Sequence, residues 1–311
     1  MSQIESDRVL VTGVGGLIGG AVARRLSADG HLVVGMDRVA PPGFSLPFMS
    51  HELPDPQRWY QAIVEHRINK VVHAGGVSGP MLLNDTPNRI VQINLDGLTG
   101  LLEAVRVHGI KRTVCFSSVM AYGDHPDLSP VTEQSWLNPA SVYGATKAAG
   151  DALISAYFEA HGVDAVSFRV AGCYGPGRVT PCLVRMMIEN ALDGKESLVC
   201  ENLRRTRQFI YVDDVVQAVC LALDAPRLKH RIYNIGPGRL HSAQDVIDAV
   251  RSALPGIQAR VDPAGMSWNS FGVGLLKVDA ACQDFGFNPT VSLEVGAART
   301  LDWVKQRQGQ G

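Results

Sequence analysis

An α/β fold, a doubly wound parallel sheet with a smaller C-terminal lobe, is predicted by three features of this sequence. Short β-rich apolar runs alternate with segments of helical spacing as far as about residue 172. A glycine-rich turn directly follows the first of those runs, and the alternation weakens beyond residue 172. Near-continuous apolar strands separated by helices indicate a parallel sheet covered on both faces, because a solvated face would show polar residues at every second position.

The elements follow in order. "RVLVTG" (8–13) is the first strand, and "GGAVARRLSADG" (19–30) is a helix stopped by Gly30. "HLVVGMD" (31–37) is the second strand. "WYQAIVEH" reads as a helix, "INKVVHAGG" as a strand, and "NRIVQINLDGLTGLLEAVRVHG" as one long helix closed by Gly109. "KRTVCFSS" is a further strand, followed by a loop bearing Pro and Asp. A helix from about Ser141 to His161 stops at Gly162, and "VDAVSFRVAG" resumes a strand. Later, "RQFIYV", the helix "DDVVQAVCLAL" and "RIYNIG" look like the chain returning to the sheet. "SAQDVIDAVRSAL" and a Pro/Gly-rich passage near 255–274 suggest the smaller lobe.

Composition narrows the class. The 311 residues are 46% hydrophobic and 19% charged, which are globular proportions. A formal net charge of -1 and the lack of any Lys/Arg run speak against nucleic acid or an anionic membrane as partner. "MSQIESDR" lacks the apolar core of a secretory signal, and no run approaches the roughly 18 apolar residues of a membrane span. The six cysteines are scattered, without a CxxC pair or histidines at metal-ligand spacing, so reduced thiols, a cytoplasmic location and no metal are expected.

Between the first strand and the first helix lies "TGVGGLIGG". GxGxxG fails in register because position 18 is Ile, but GxxGxxG fits with Gly13, Gly16 and Gly19. Glycines there allow a tight strand-to-helix turn and let backbone amides approach a pyrophosphate at the helix N-terminus. Asp37, ending the second strand, can accept hydrogen bonds from an adenosine ribose diol and would repel a 2′-phosphate, which favours NAD. Arg38 beside it could accommodate that phosphate, so NADP stays open.

Chemistry enters with "FSSVMAYG", which places Ser117 and Ser118 at a strand end, and "SVYGATKAAG", which places Tyr143 and Lys147 one helical turn apart. A free tyrosine titrates at about 10, too high for a general base at neutral pH. A cation one turn away would favour the phenolate, and Ser118 could hold a substrate hydroxyl in line for deprotonation. Each residue alone has an ordinary explanation; together, after a dinucleotide turn, they form a constellation.

The chain resembles the extended short-chain dehydrogenase/reductases, the NAD-dependent epimerase/dehydratase family, nearly end to end. "TGVGGLIG" is similar to TGxxGxxG, "VVHAGG" to HxAA with Gly75 and Gly76 in place of alanines, and Tyr143 with Lys147 to YxxxK. Asn94 in "INLDG", Ser118 four residues before Tyr122, "FRVAGCYGPG", "RQFIYVDD", "YNIG" and "DFGFNPTVSLEVGAARTLDWV" match further landmarks. The resemblance implies a Rossmann-type NAD-binding domain at 1–172 with returning segments at about 208–238. A substrate-binding lobe would then comprise 173–207 and 239–311. It implies Tyr143 as base, Ser118 as the residue orienting the hydroxyl, and Lys147 as ribose ligand and tuner of the tyrosine. Gly13, Gly16, Leu17 and Ile18 would line the pyrophosphate and Asp37 the adenosine ribose. Leu53, beside Glu52 where an Asp is usual, would lie at the adenine, with Ala74, Gly75, Gly76 and Asn94 also at the cofactor.

Within the family, 4,6-dehydratases carry an Asp-Glu pair directly after the catalytic hydroxyl residue. Val119 and Met120 stand there and cannot exchange protons, which argues against a dehydratase. Epimerases commonly set two arginines against the substrate pyrophosphate. Arg207 matches one, but "VDPAGMSWNSFGVGLL" supplies no arginine after Arg260, and Gly172 replaces a usual Asn. Arg178, Arg185, Arg204 and Arg205 could bind phosphate or carboxylate instead, and Ser78 in "VSGP" would face the substrate. Nucleotide-sugar epimerisation is the leading expectation, with net oxidation of a free sugar or sugar acid as the alternative. A catalytically silent cofactor-binding sensor would be expected to lose the Tyr or the Lys, and both are kept. A homodimer packed through the helices at about 88–108 and 141–161 is expected from the family.

Overall fold

The computed structural model describes residues 6–125, 127–200, 208–262 and 272–308. The N-terminal half alternates strand and helix. β1 (Arg8–Thr12), α1 (Leu17–Ala28), β2 (Leu32–Asp37), a short β3 (Phe48–Ser50), α2 (Gln57–His66) and β4 (Lys70–His73) come first. Then α3 (Pro87–Val91) runs through a π turn (Gln92–Asp96) into α4 (Gly97–His108), followed by β5 (Arg112–Ser118), α5 (Val142–His161) and β6 (Ala165–Val170). The expected single helix at 88–109 therefore contains a π turn, whose extra residue per turn rotates Asn94 inward, where its side chain is buried. β3 escaped the sequence reading because three residues carry no measurable period.

The rest of the described chain comprises β7 (Gly172–Tyr174), α6 (Leu183–Leu192), β8 (Ser197–Cys200), β9 (Phe209–Tyr211), α7 (Val212–Asp224), β10 (Ile232–Ile235), α8 (Ala243–Ala253), β11 (Ala259–Asp262), α9 (Asp279–Phe285) and α10 (Leu293–Gln308). Seven parallel strands form the main sheet in the order β10-β6-β5-β4-β1-β2-β3. The order reverses between β1 and β4, so the chain leaves these neighbouring strands in opposite directions and opens a crevice at their C-terminal ends. "RIYNIG" returns to this sheet as β10. "RQFIYV" does not: its described part, β9, pairs with β7 in a separate two-stranded ribbon. The sequence could announce a strand there but not its partner.

Side-chain alternation along β1 shows how the layers close. Val9 and Val11 enter the core under α1 and α7, while Leu10 enters the opposite one with Trp59 of α2 and Leu98 and Leu101 of α4. Each such fully buried aliphatic side chain contributes about 1.5–3 kcal/mol relative to exposure. α10 packs on α8 and α6, attaching the C-terminal helices to the β7–β9 ribbon. Gly296 of α10 lies so close to Tyr174 that a Cβ there would come within 2.0 Å of the phenol oxygen. No helix among the described residues is long and apolar enough to cross a membrane, and among them no cluster of His, Cys, Asp or Glu could hold a metal ion.

Candidate active site

The glycine turn sits where β1 ends. Gly13 has φ +69°, and a Cβ there would meet Ala74 O at 2.5 Å, so both its conformation and its space require glycine. Gly16 caps α1 without any side-chain hydrogen bond to the first-turn amides. Leu17 and Ile18 begin the helix, half-buried, and Gly15 and Gly16 are exposed. Asp37 accepts from Gly15 N at 2.9 Å and from Arg38 N at 2.7 Å, tying the end of β2 to the turn. Arg38 itself is exposed. A ring of uncapped helix amides, a cradle that side chains would fill, and a carboxylate beside it fit a dinucleotide.

The opposite wall comes from β4. Thr12 Oγ1 accepts from Gly75 N at 2.9 Å and lies 2.9 Å from His73 Nδ1. Burial pushes His73 down to about 3, with the Lys147 cation adding to the fall, so the ring that hydrogen-bonds Thr12 Oγ1 through Nδ1 is neutral. Gly76 has φ +140°, and a Cβ on it would approach Asn94 Oδ1 to 2.9 Å, which accounts for glycine where the motif has alanine. Asn94 accepts from Val77 N at 2.8 Å and donates to Val77 O at 3.3 Å and to Thr146 Oγ1 at 3.0 Å. These three bonds are all to protein, bracing the loop after β4 against α5. Leu53 is half-buried against Gly97, and Ser78 is exposed.

Ser118 ends β5 and caps a 3-10 turn, its Oγ accepting from Met120 N at 3.2 Å. Tyr143 lies in the first turn of α5, which starts where Ser141 Oγ accepts from Gly144 N at 3.0 Å. The Ser118 hydroxyl is within hydrogen-bonding reach of the Tyr143 phenol. Lys147, one turn on, has its Nζ 5.7 Å from the centroid of the Tyr143 ring and donates to Phe116 O at 2.9 Å. Three residues expected to act together are thus gathered at the C-terminal end of β5, on the sheet edge where β1 ends in the glycine turn.

Electrostatics there differ from the expectation in one respect. Burial pushes the Tyr143 phenol above its ordinary value, opposed by the Ser118 hydrogen bond and then by the Arg178 cation. The Lys147 ammonium is directed to Phe116 O. Burial brings Lys147 down to about 8, with Asp151 the largest opposing influence.

Of the arginines, Arg178 follows β7. Its guanidinium is held by Thr180 Oγ1 at 3.1 Å, by Pro181 O at 3.0 Å and by Cys173 O. No carboxylate pairs with it among the described residues. Arg185 donates to Arg178 O and pairs with Glu189 at 3.3 Å. Arg204, Arg205 and Arg207 lie outside the described residues. Sequence reasoning missed the groups beneath the site: Thr12, Thr146 and Asp151 are buried polar residues in otherwise apolar or small-residue runs, and only the interruption of the apolar pattern could have flagged them.

The sheet order, the glycine turn and the Ser118, Tyr143 and Lys147 grouping define a class, the extended short-chain dehydrogenases/reductases. The chain belongs to the NAD dependent epimerase/dehydratase family, whose model matches residues 9–236. It is similar to a UDP-glucose 4-epimerase of Mycolicibacterium smegmatis, with 28% identity over 314 residues, 96% of this chain and 99% of that one. The UDP-glucose 4-epimerase of Thermus thermophilus, solved with NAD, superposes with a TM-score of 0.83 at 29% identity, covering 96% of this chain and 99% of the other. That of Thermotoga maritima, solved with UDP-glucose, superposes with a TM-score of 0.87 at 25% identity over 97% and 99%.

Proposed function

We propose that the protein is an NAD-dependent nucleotide-sugar epimerase in which Tyr143 is the proton acceptor and donor. The observation that carries this reading is the Ser118–Tyr143 pair of hydroxyls, with Lys147 one turn on, on the sheet edge that also carries the glycine turn. Tyr143 takes the proton of a sugar hydroxyl, which Ser118 holds in line through the oxygen it shares with Met120 N. Bound NAD supplies a reversible hydride acceptor for the carbon that bears this hydroxyl. Lys147 keeps a positive charge beside the phenol while the proton is held, and Tyr143 returns it to the same oxygen, so an epimerisation leaves no net proton. Gly13, Gly16, Leu17 and Ile18 hold the pyrophosphate, Asp37 selects an unphosphorylated ribose, and Leu53 and Ala74 to Gly76 complete the cofactor walls. Asn94 serves the cofactor wall indirectly, by bracing the loop it is bonded to.

Support for the nucleotide sugar comes from the relatives named above. Val119 and Met120 after Ser118 cannot exchange protons, which leaves water elimination without its acid–base pair. A specific observation favours a second reading, net oxidation of a sugar acid: Arg178 is a cation near Tyr143 without an acidic partner among the described residues. Such a cation suits a substrate carboxylate. Arg207 would meet the substrate pyrophosphate and Ser78 a sugar hydroxyl.

Incubation with NAD and panels of nucleotide sugars and sugar acids tests both readings. An isomeric product without net NADH supports epimerisation; stoichiometric NADH supports oxidation. Failure of either product with every substrate would sink both. We further propose a 1–172 cofactor domain joined by 208–238 and a substrate lobe from 173–207 and 239–311. A cytoplasmic homodimer formed through the helical segments at about 88–108 and 141–161 completes the reading, and sedimentation showing only monomer overturns that last part.

A further inference from the structure

Tyr143 is held by more than its own helix. Thr146, three residues on, is 3% exposed, and its Oγ1 donates to Tyr143 O at 2.8 Å. The same oxygen accepts from Asn94 Nδ2 at 3.0 Å. Asn94, 8% exposed, accepts from Val77 N at 2.8 Å and donates to Val77 O at 3.3 Å. A buried chain of hydrogen bonds therefore runs from the loop after β4, through the π turn, to the backbone of the first turn of α5. Apolar packing accompanies it: Val77, Ile90 and Tyr143 share one cluster, with Leu82, Ile93 and Met120 against it.

We infer that Thr146 is a positioning residue for the proton transfer: its hydroxyl ties the carbonyl of Tyr143 to the loop after β4, so the phenol is held in register with the cofactor wall. This rests on the reading of Tyr143 as the proton acceptor and of Gly75 and Gly76 as part of that wall.

The direction of each bond follows from what each group can donate. A carbonyl only accepts, so the Thr146 proton goes to Tyr143 O, and the lone pairs left on Oγ1 are open to Asn94. Asn94 spends its Oδ1 on Val77 N, which leaves its amide hydrogens for Val77 O and Thr146. A helical threonine bonded to a carbonyl one turn back is common, and that bond alone would be local. The second bond on the oxygen is not local, since it comes from a residue 52 positions away in the chain.

The surrounding fit leaves little slack. A Cβ on Gly76 would come within 2.9 Å of Asn94 Oδ1, and one on Gly144, next to Tyr143, within 2.5 Å of Met120 O. Met120 N is bonded in turn to Ser118 Oγ at 3.2 Å. The turn bearing Tyr143 is thus closed in by the Ser118 turn and tied through Thr146 to the loop after β4. A displacement of about 1 Å in such a turn suffices to slow a reaction roughly 100-fold.

The test is Thr146→Val, which keeps the shape and removes the hydroxyl. Amide hydrogen exchange of Val77 in the protein without substrate reports whether the loop is still braced. Steady-state kinetics with a nucleotide sugar report the proton transfer. Val77 exchange should quicken roughly tenfold, as for one lost hydrogen bond of ordinary strength. The kcat should fall roughly 10- to 100-fold with KM close to wild type. Thr146→Ser, which keeps the hydroxyl, should restore both. A threonine that serves only its own helix would lower the melting temperature and quicken exchange within α5, leaving Val77 exchange and kcat unmoved. Either of those two readouts staying at its wild-type value in Thr146→Val overturns the inference. If Thr146→Val does not fold, Thr146→Ala gives the same readouts. Absence of turnover in the wild-type protein would count against the epimerase reading alone, and Val77 exchange, which needs no substrate, would then decide the inference by itself.

Discussion

The Lys147 ammonium donates to Phe116 O at 2.9 Å and stands 5.7 Å from the centre of the Tyr143 ring, so the helix presents the cation beside the ring and anchors it to β5. The phenol is held up by burial and down by Ser118 and Arg178. Tyr143→Phe removes the only hydroxyl of this pair that can carry the substrate proton away. Turnover should fall roughly 100- to 10,000-fold, the range for a lost general base, while NAD affinity and melting temperature stay close to wild type. Steady-state kinetics with NAD titration by fluorescence check this, and unchanged turnover would remove Tyr143 from the mechanism.

His73 makes stability depend on acid. In the unfolded chain it takes up a proton near its ordinary value of 6.5, but in the fold only near about 3. Between those values the unfolded state binds more protons, so stability falls as pH drops from 6.5 toward 3 and is complete above 6.5. The loss over that window should be a few kcal/mol, on the order expected for a buried histidine. Urea melts of wild type and His73→Gln across it should converge at low pH. Parallel curves would refute the assignment.

Gly13→Ala meets two obstacles at once, a φ of +69° and Ala74 O at 2.5 Å. Gly30 has φ +91° but open space around it. Gly30→Ala should therefore cost only backbone strain, about 1–3 kcal/mol, and leave NAD affinity alone. Gly13→Ala should cost more and weaken NAD binding at least tenfold, because the turn must move. Equal stability losses, or intact NAD affinity in Gly13→Ala, would contradict this account of the cradle.

Arg178→Ala separates two roles of one side chain. If the guanidinium meets a substrate carboxylate, kcat/KM for an acidic nucleotide sugar should fall roughly 10- to 100-fold relative to a neutral one, the worth of a charge-assisted hydrogen bond. If it serves only to hold the loop through Cys173 O and Pro181 O, both substrates should suffer alike. Parallel kinetics on the two substrates decide.

What is local could be read from the residues alone. A glycine triplet between a strand and a helix, a tyrosine and lysine one turn apart, and apolar runs of strand length are set by backbone sterics and by helix period, and all of these were legible. So was the class of chemistry, since TGxxGxxG and YxxxK stand in order. What depends on distant partners emerged only in the folded chain. The residues could not say that β9 pairs with β7 and not with the main sheet, because ladder partners are chosen by packing and not by the strand's own residues. Nor could they say that Asn94 turns inward, since a π turn breaks the period by which side chains are assigned to a face. That the Lys147 ammonium goes to a backbone carbonyl of β5 depends on a strand 31 residues away in the chain. Asp151 gathers Ser117, Ser167 and Arg169 from two strands, and only their convergence accounts for an aspartate buried in a small-residue helix.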